Sequence, residues 1–509
     1  MPFWDALVWK SSISGSRVFF MSEAKLSLLS FKGKMKILHM TWIAFFLSFY
    51  VWFNHAPLMA SIRDTMGLSG QQVKVILIMN VALTIPARVI IGMLVDKYGP
   101  RRMYSALLFI SSFLCFAFAM SKNFEQLAIT RFLLGFAGAG FVIGIRMVSE
   151  WFPAKEVGLA EGIYGGWGNF GSATAAMTLP LIMLFFGGDN AWRYAAGMTG
   201  ILSLVFSVIY FFSVSDTPKG STYFKPKKSG AMEITSPKDF FFYLLVNVPM
   251  CAALAVLAWK LGPANLGLLS ATLTHTIYFV LTGIYAFQAL RIYQINKHVF
   301  FETLPEIEQY KFKQVAIINL SYFVTFGSEL AVVSMLPLFF LDTFGLSQTT
   351  AGLLAGSFSF TNLFARPLGG LLSDKAGRKR SLVFLLSGLS IGYFLMGQIN
   401  ASWPLSMAVL LTFSCAMLVT SGNGAVFAMV PLIKRRLTGQ VAGMAGAYGN
   451  VGAVSFLTVL SFVSPQLFFF VIATAAILTL SIVLFFFEEP AGHMAEVLPD
   501  GTVKMIEVT

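Results

Sequence analysis

Residues 88–101 read RVIIGMLVDKYGPR, and residues 366–379 read RPLGGLLSDKAGRK. In each stretch an arginine is followed by glycine, aspartate, glycine and a basic residue at offsets 4, 8, 11 and 13. These are Arg88, Gly92, Asp96, Gly99 and Arg101 in the first, and Arg366, Gly370, Asp374, Gly377 and Lys379 in the second. A second match lies further along each copy: Gly162, Gly165 and Gly168-Asn169-Phe170-Gly171 face Gly443, Gly446 and Gly449-Asn450-Val451-Gly452. The step from Gly162 to Gly443 nearly equals the step from Arg88 to Arg366. Two matches in the same order, at nearly the same separation, mean an internal duplication.

Both arginines interrupt long apolar runs, and such runs extend across most of the chain. They lie near 37–60, 71–95, 103–120, 124–149, 157–186 and 191–213, then 240–259 and 261–290, then 314–341, 348–372, 381–398, 403–432, 440–462 and 465–487. A run of about 20 residues crosses a hydrocarbon layer about 30 Å thick. Of 509 residues, 57% are hydrophobic and 12% charged, about half the charge share of a soluble chain. A set of soluble domains is excluded. The runs are too long and too continuously apolar for barrel strands, and a span must satisfy its own backbone, so they are read as helices.

The expected fold is therefore an all-α polytopic membrane protein of about 14 spans. Its parts are a cytoplasmic segment 1–36, a six-helix half 37–214, a central linker 215–313 carrying 240–259 and 261–290, a six-helix half 314–488 and a tail 489–509. Parallel halves related by an axis along the membrane normal rock around a site at mid-membrane depth.

The net charge of +13 reads as topology. With the N-terminus in the cytoplasm, 27 of the 36 Lys and Arg fall inside and six outside (Arg63, Lys74, Lys122, Arg131, Arg193 and Lys260). Arg88, Arg146 and Arg366 lie within spans. This bias places both termini in the cytoplasm, and no nucleic-acid role is needed to explain the charge. Cys115, Cys251 and Cys415 lie in apolar runs without metal-ligand spacing, so neither disulfide nor metal is expected. No nucleotide loop or nucleophile triad is present, so neither enzyme nor cofactor is expected. Met1–Lys36 lacks the pattern of a signal peptide, and Met21 is an alternative start.

The Gly-x-x-x-Asp-x-x-Gly-x-Arg signature at Gly92–Arg101 resembles that of the major facilitator superfamily. Gly165–Gly171 and its echo Gly446–Gly452 resemble the signatures of the nitrate/nitrite porter family, as does Tyr322-Phe323-Val324-Thr325-Phe326-Gly327-Ser328. The resemblance covers 37–214 and 311–488. It implies a secondary transporter importing nitrate, and nitrite with it, by alternating access across the plasma (cell inner) membrane. A monomer suffices for that architecture.

A central arginine costs about 2.5–3.5 kcal/mol on insertion scales, so two of them need a reason. Arg88 and Arg366 are expected to face the axis and share one small anion. A guanidinium fork suits a planar oxyanion, and the resemblance implies that the matching arginines are substrate ligands. Asn169 and Asn450 face the bundle, either toward substrate or toward a neighbouring helix. Phe141, Tyr322 and Phe326 correspond to aromatics that wall the substrate in the family; core packing is the alternative. Gly165, Gly168, Gly171, Gly446, Gly449 and Gly452 read as packing devices that allow close helix approach.

Asp96, Arg101, Arg102, Asp374, Arg378, Lys379 and Arg380 sit at the cytoplasmic ends of their spans and read as a gate or as topogenic charge. Arg146 and Glu150 are i and i+4 and can pair, with Glu161 joining them, as structure or gate. Glu329 shares a helix face with Tyr322 and is either a proton carrier, which would favour proton symport over nitrate/nitrite exchange, or a carboxyl above the site facing the outer vestibule. A carrier of another small anion and a membrane-embedded sensor are the further alternatives. The inserted pair reads as a rim hairpin without chemistry of its own, and His275 as a satisfied polar group.

Overall fold

The computed structural model describes most of residues 28–490, together with 493–497 and 503–507. The expectations for residues 1–27, including the alternative start at Met21, lie outside the described residues, as do most of 70–78 and short stretches at 227–229 and 303–308.

Among the described residues the membrane region is built from helices. In order come α1 (Gly33–Trp52), α2 (His55–Met66), α3 (Thr84–Tyr98), α4 (Pro100–Ala119), α5 (Phe124–Leu134), α6 (Gly140–Trp151), α7 (Ala154–Phe186) and α8 (Ala191–Ser213). Then follow α9 (Pro237–Leu261), α10 (Ala271–Asn296), α11 (Phe312–Phe344), α12 (Gln348–Phe360), α13 (Asn362–Ala376), α14 (Arg378–Met396), α15 (Leu405–Phe427), α16 (Thr438–Leu460) and α17 (Pro465–Phe486). Twelve helical stretches among the described residues are long and apolar enough to cross a membrane. The remaining two expected spans are helical as well: α7, at 33 residues, and the interrupted pair α12–α13.

Several boundaries differ from the hydropathy reading, each for a local reason. The first span breaks at Phe53–Asn54, between α1 and α2. The fourth is interrupted by a 3-10 turn at Gly135–Ala139, which contains two glycines and joins α5 to α6. The eighth breaks at Thr361. Hydropathy is blind to all three, because one or two polar or small residues at each break hardly change the average over a run of about 20 residues. The second inserted helix starts at Ala271 instead of 261, since Gly262–Ser270 forms a loop with Gly267 at φ 64 and Ser270 capping the Leu273 N–H at 3.2 Å. The tail is not entirely helix or coil: β1 (His493–Val497) and β2 (Val503–Glu507) pair antiparallel.

The repeated motif explains two tight turns. Gly99 (φ 87) joins α3 to α4, and Gly377 (φ 95) joins α13 to α14. This φ range disfavours any side chain. A carboxylate also occupies the space a Cβ would need: Asp216 at 2.7 Å from that point at Gly99, and Glu489 at 2.9 Å at Gly377. Asp216 accepts the Arg101 N–H at 2.8 Å, and Glu489 accepts that of Arg378. Each glycine thus lets a distant carboxylate reach the exposed N-terminal amides of the next helix, where negative charge is favoured.

The halves meet along two equivalent seams. In one, α3 runs against α16, with Gly92 facing Gly439 and Gly443; in the other, α7 runs against α13, with Gly158 facing Gly370 and Gly162 facing Pro367. Among the inserted helices, α9 packs on α16, where the Tyr448 hydroxyl donates to the Val246 carbonyl at 2.6 Å. Helix α10 lies outside α9, with Gln288 bonded to Asn247 at 2.7 Å, and most of its surface is exposed. His275 is on that exposed surface, edge-on to Tyr278.

Candidate functional site

Arg88 on α3 and Arg366 on α13 are each 1% exposed. Their surroundings follow from the repeat. Gly446 on α16 gives room to Arg88, whose Cδ would lie 3.0 Å from a Cβ there. Gly165 on α7 gives room to Arg366, whose Nε would lie 2.6 Å from one. These two glycines therefore do more than bring helices together: they form the slots in which the guanidinium groups rest. Gly168 packs on Phe45, Gly171 on the Phe46 backbone, Gly449 on Tyr322 and Phe326, and Gly452 on the Phe323 carbonyl.

Arg88 donates from Nη1 to the Gly446 carbonyl at 2.7 Å and from Nε to the Gly138 carbonyl at 3.2 Å. Arg366 donates from Nη2 to the Tyr322 hydroxyl at 2.9 Å. Its Nη1 is buried with no hydrogen-bond partner. Both guanidinium groups lie over the same two rings: Phe141 at 5.7 and 5.0 Å, and Phe326 at 5.3 and 5.9 Å. Tyr322 stacks on Phe326 at 4.9 Å and lies parallel to Phe141 at 6.3 Å. The three aromatic residues singled out in the sequence are thus brought together with both arginines.

Phe427 completes the wall, edge-on to Phe141 at 4.5 Å and to Tyr322 at 4.6 Å. The duplication does not reveal it, because the counterpart of Phe141 in the second half, at the spacing of the glycine signatures, is Gly422. Asn169 is 8% exposed. Its amide has no hydrogen bond to the described residues. Asn450 reaches back to the Gly446 carbonyl at 3.4 Å, and its Oδ1 is unpartnered.

Neither Arg88 nor Arg366 has a carboxylate within ion-pair distance among the described residues. Two buried cations over shared apolar rings, beside the unpartnered Arg366 Nη1 and the carboxamides of Asn169 and Asn450, form a candidate site for a small anion. Uncompensated buried charge is strongly unfavourable. A small planar anion would remove that penalty and accept the free donors.

Glu329 on α11 lies near this site, on the face of the helix that carries Tyr322. Its two oxygens accept from Asn362 Nδ2 and Asn423 Nδ2. Neither asparagine stood out in the sequence, since a lone amide in an apolar run carries no pattern.

The expected gate residues separate into groups. Asp96 accepts the N–H groups of Gly439 and Gln440 at 3.0 and 2.9 Å, and Asp374 accepts those of Gly158 and Leu159 at 3.1 and 2.8 Å. Each aspartate therefore binds the first turns of a helix in the opposite half. Arg146 bridges Asp96 at 3.4 Å and Glu150 at 3.1 Å. It also donates to the carbonyls of Arg435 and Phe224 and lies over the Tyr223 ring. Arg378 bonds Asp374 within its own half. Arg101 is elsewhere: it donates to the Phe211 carbonyl at 2.7 Å and covers the Phe211 ring.

Two sequence expectations need correction. Glu161 does not join Arg146 and Glu150; it faces α13, among Asp374, Arg378, Arg435 and Arg366. Arg131, counted with the outer loops, is fully buried, bonded to Asn54 at 2.8 Å, Asn80 at 2.6 Å and the Trp52 carbonyl. Two asparagines and a broken helix end accept from it without any carboxylate.

Comparison with known proteins bears on the family and the fold. The Major Facilitator Superfamily profile matches residues 41–300 and 318–503. The chain is 47% identical to the nitrate/nitrite transporter NrtP of Picosynechococcus sp., over 92% of this chain and 95% of that one. It is 44% identical to NrtP of Nostoc punctiforme, with the same coverage. The solved proton:xylose symporter XylE superposes with a TM-score of 0.58 at 16% identity, covering 90% of this chain and 96% of its own, which speaks for the fold alone. Fold, repeat and relatives agree: the chain is a membrane transporter and not an enzyme, and it belongs to the nitrate/nitrite porter family of the major facilitator superfamily.

Proposed function

We propose that the protein imports nitrate, and nitrite with it, by alternating access, as a proton symporter in the plasma membrane with both termini in the cytoplasm. The observation that carries this reading is the pair of buried arginines that share two aromatic rings and have no carboxylate partner among the described residues. One planar oxyanion between the two arginines offsets one of their charges and relieves their repulsion, with Arg366 Nη1, the Asn169 carboxamide and the second N–H of Asn450 Nδ2 as further donors. The rings of Phe141, Tyr322, Phe326 and Phe427 exclude water and larger, strongly hydrated anions. One monomer contains every part of this site.

Alternating access needs contacts that can be released. The aspartate-to-amide bonds of Asp96 and Asp374 close the seam at the end of the halves assigned to the cytoplasm, and rocking breaks both together. Inward nitrate movement opposes an inside-negative potential by about 2.3 kcal/mol per 100 mV, so accumulation requires coupling. Two protons per nitrate make uptake electrically favourable. Glu329 is the candidate carrier, beside Arg366 and held by two carboxamides that can present either a donor or an acceptor edge.

The test is uptake of labelled nitrate and nitrite at varied pH and membrane potential in cells lacking their own nitrate transport. Uptake should rise at acid external pH and carry inward positive current. Uptake without current, with nitrite leaving as nitrate enters, would establish exchange instead.

A further inference from the structure

Glu161 is 1% exposed, and neither carboxyl oxygen has a hydrogen-bond partner. Nothing in the anion site or in the seam contacts uses it. Its position on α7 is informative. Glu161, Gly165 and Asn169 follow at intervals of four, so they form one stripe of the helix. Arg366 lies in the slot at Gly165. Asp374 bonds the helix just before Glu161, at Gly158. Glu161 therefore sits between the anion site and the aspartate seam, about one turn, or ~6 Å, from the arginine slot. The charged groups facing it are Arg366 and Asp374 on α13, Arg378 on α14 and Arg435 ahead of α16. In the second half the equivalent position, at the spacing that carries Gly162 onto Gly443, is Ala442, so this carboxyl is not part of the duplicated plan.

We propose that Glu161 is a second proton site of the transport cycle, loaded when the anion occupies Arg366. The inference rests on the symport reading above and supplies what that reading lacks, a second carboxyl for the second proton. Burial and the neighbouring Asp374 oppose a charge on Glu161, while Arg378, Arg435 and Arg366 favour it. Anion binding offsets the charge of Arg366 and weakens that attraction, which shifts the balance toward the uncharged acid. Uncharged, it no longer attracts Arg378 and Arg435 across the seam. When the seam opens, the O–H bond breaks and the proton leaves to cytoplasmic water. Glu329 and Glu161 then lie on opposite sides of Arg366, one toward each end of α13.

The experiment uses the full-length protein in liposomes, with the potential clamped at zero and the outside one pH unit more acid. Each coupled proton multiplies the equilibrium accumulation of labelled nitrate about tenfold per pH unit. Two protons give about hundredfold accumulation in the wild type, and Glu161→Gln should reduce it to about tenfold. Glu329→Gln should show the same reduction. Counterflow at equal pH, which needs no net proton movement, should persist in both variants; its loss in folded Glu161→Gln protein would place Glu161 in the binding site and overturn the proposal. Hundredfold accumulation retained in Glu161→Gln, or in Glu161→Ala should the first variant not fold, overturns the Glu161 assignment and leaves symport standing. Tenfold accumulation in the wild type does the same without any variant. No wild-type accumulation defeats symport itself.

Discussion

Replacing Gly165 with alanine separates the anion site from the stability of the fold. A Cβ at position 165 would lie 2.6 Å from Arg366 Nε and 3.1 Å from its Cζ. Carbon and nitrogen in ordinary contact stay roughly 3.5 Å apart, so the guanidinium must retreat by nearly 1 Å. The bond from Nη2 to the Tyr322 hydroxyl, now 2.9 Å, would then stretch beyond hydrogen-bonding range. The substrate-facing Nη1 would be displaced by a similar amount. A hydrogen bond to a charged group is worth about 1.5–3 kcal/mol, so the loss of anion affinity is about tenfold to a hundredfold. Helix propensity acts in the opposite direction, since alanine is favoured over glycine by about 1 kcal/mol within a helix. The variant should therefore fold and express as well as the wild type and fail in KM. The assay is concentration-dependent uptake of labelled nitrate, beside thermal unfolding of the purified protein. Gly283→Ala, at an exposed site on α10 with nothing near the added methyl group, is the control. A Gly165→Ala protein with normal stability and a KM within threefold of the wild type would refute the slot argument.

Arg88→Lys and Arg366→Lys keep the charge and lose the fork; each should abolish uptake while membrane expression stays intact, measured by blot and labelled nitrate. Phe427→Ala removes the ring that closes the aromatic wall and should raise inhibition by larger anions such as chlorate or small carboxylates, read in a competition panel. Gly99→Ala places a side chain at φ 87 against the Asp216 carboxylate; backbone strain of about 1–3 kcal/mol should lower the unfolding temperature. Asp96→Asn and Asp374→Asn weaken charged acceptors of helix-end amides, and each should increase labelling of cysteines introduced along the seam.

The parts of this protein that were legible in the sequence are those the duplication repeats or the lipid forbids. Arg88 and Arg366 stand out because a cation within an apolar run needs a reason, and because both copies retain it. Asp96 and Asp374 are readable as residues near helix ends, yet their partners, the amides of Gly439, Gln440, Gly158 and Leu159, lie in the opposite half. Contacts between halves leave no local period in the chain. The same limit hides the surroundings of Glu161, which lies on α7 while Arg146 lies on α6, so no helix spacing relates the two. Phe427 escaped because it lies off the repeat, and one phenylalanine among 52 carries no signal. The burial of Arg131 leaves no trace in the sequence, because a carboxamide pair and a broken helix end, each from a distant part of the chain, accept its hydrogen bonds.

The division between repeated and unrepeated residues bears on coupling. A binding site built from two parallel halves presents the same groups twice around the axis: Arg88 and Arg366 each have an aspartate two turns beyond, and each rests in a glycine slot of the other half. Such a site can bind and exchange anions, but the repeated arginines carry no proton to couple to them. Coupling is then assigned to carboxyls that one half has and the other lacks. Glu161 has Ala442 as its counterpart, and it lies beside α13 in the seam that contains Arg366. On this reading the duplicated residues recognise the anion and the unrepeated carboxyls couple it. The double variant Glu161→Gln, Glu329→Gln should then behave as a pure exchanger, with counterflow intact and no accumulation in response to a pH gradient. Accumulation persisting in that protein would mean that the proton travels with the anion site itself, and the asymmetry of the carboxyls would have to be explained as structure.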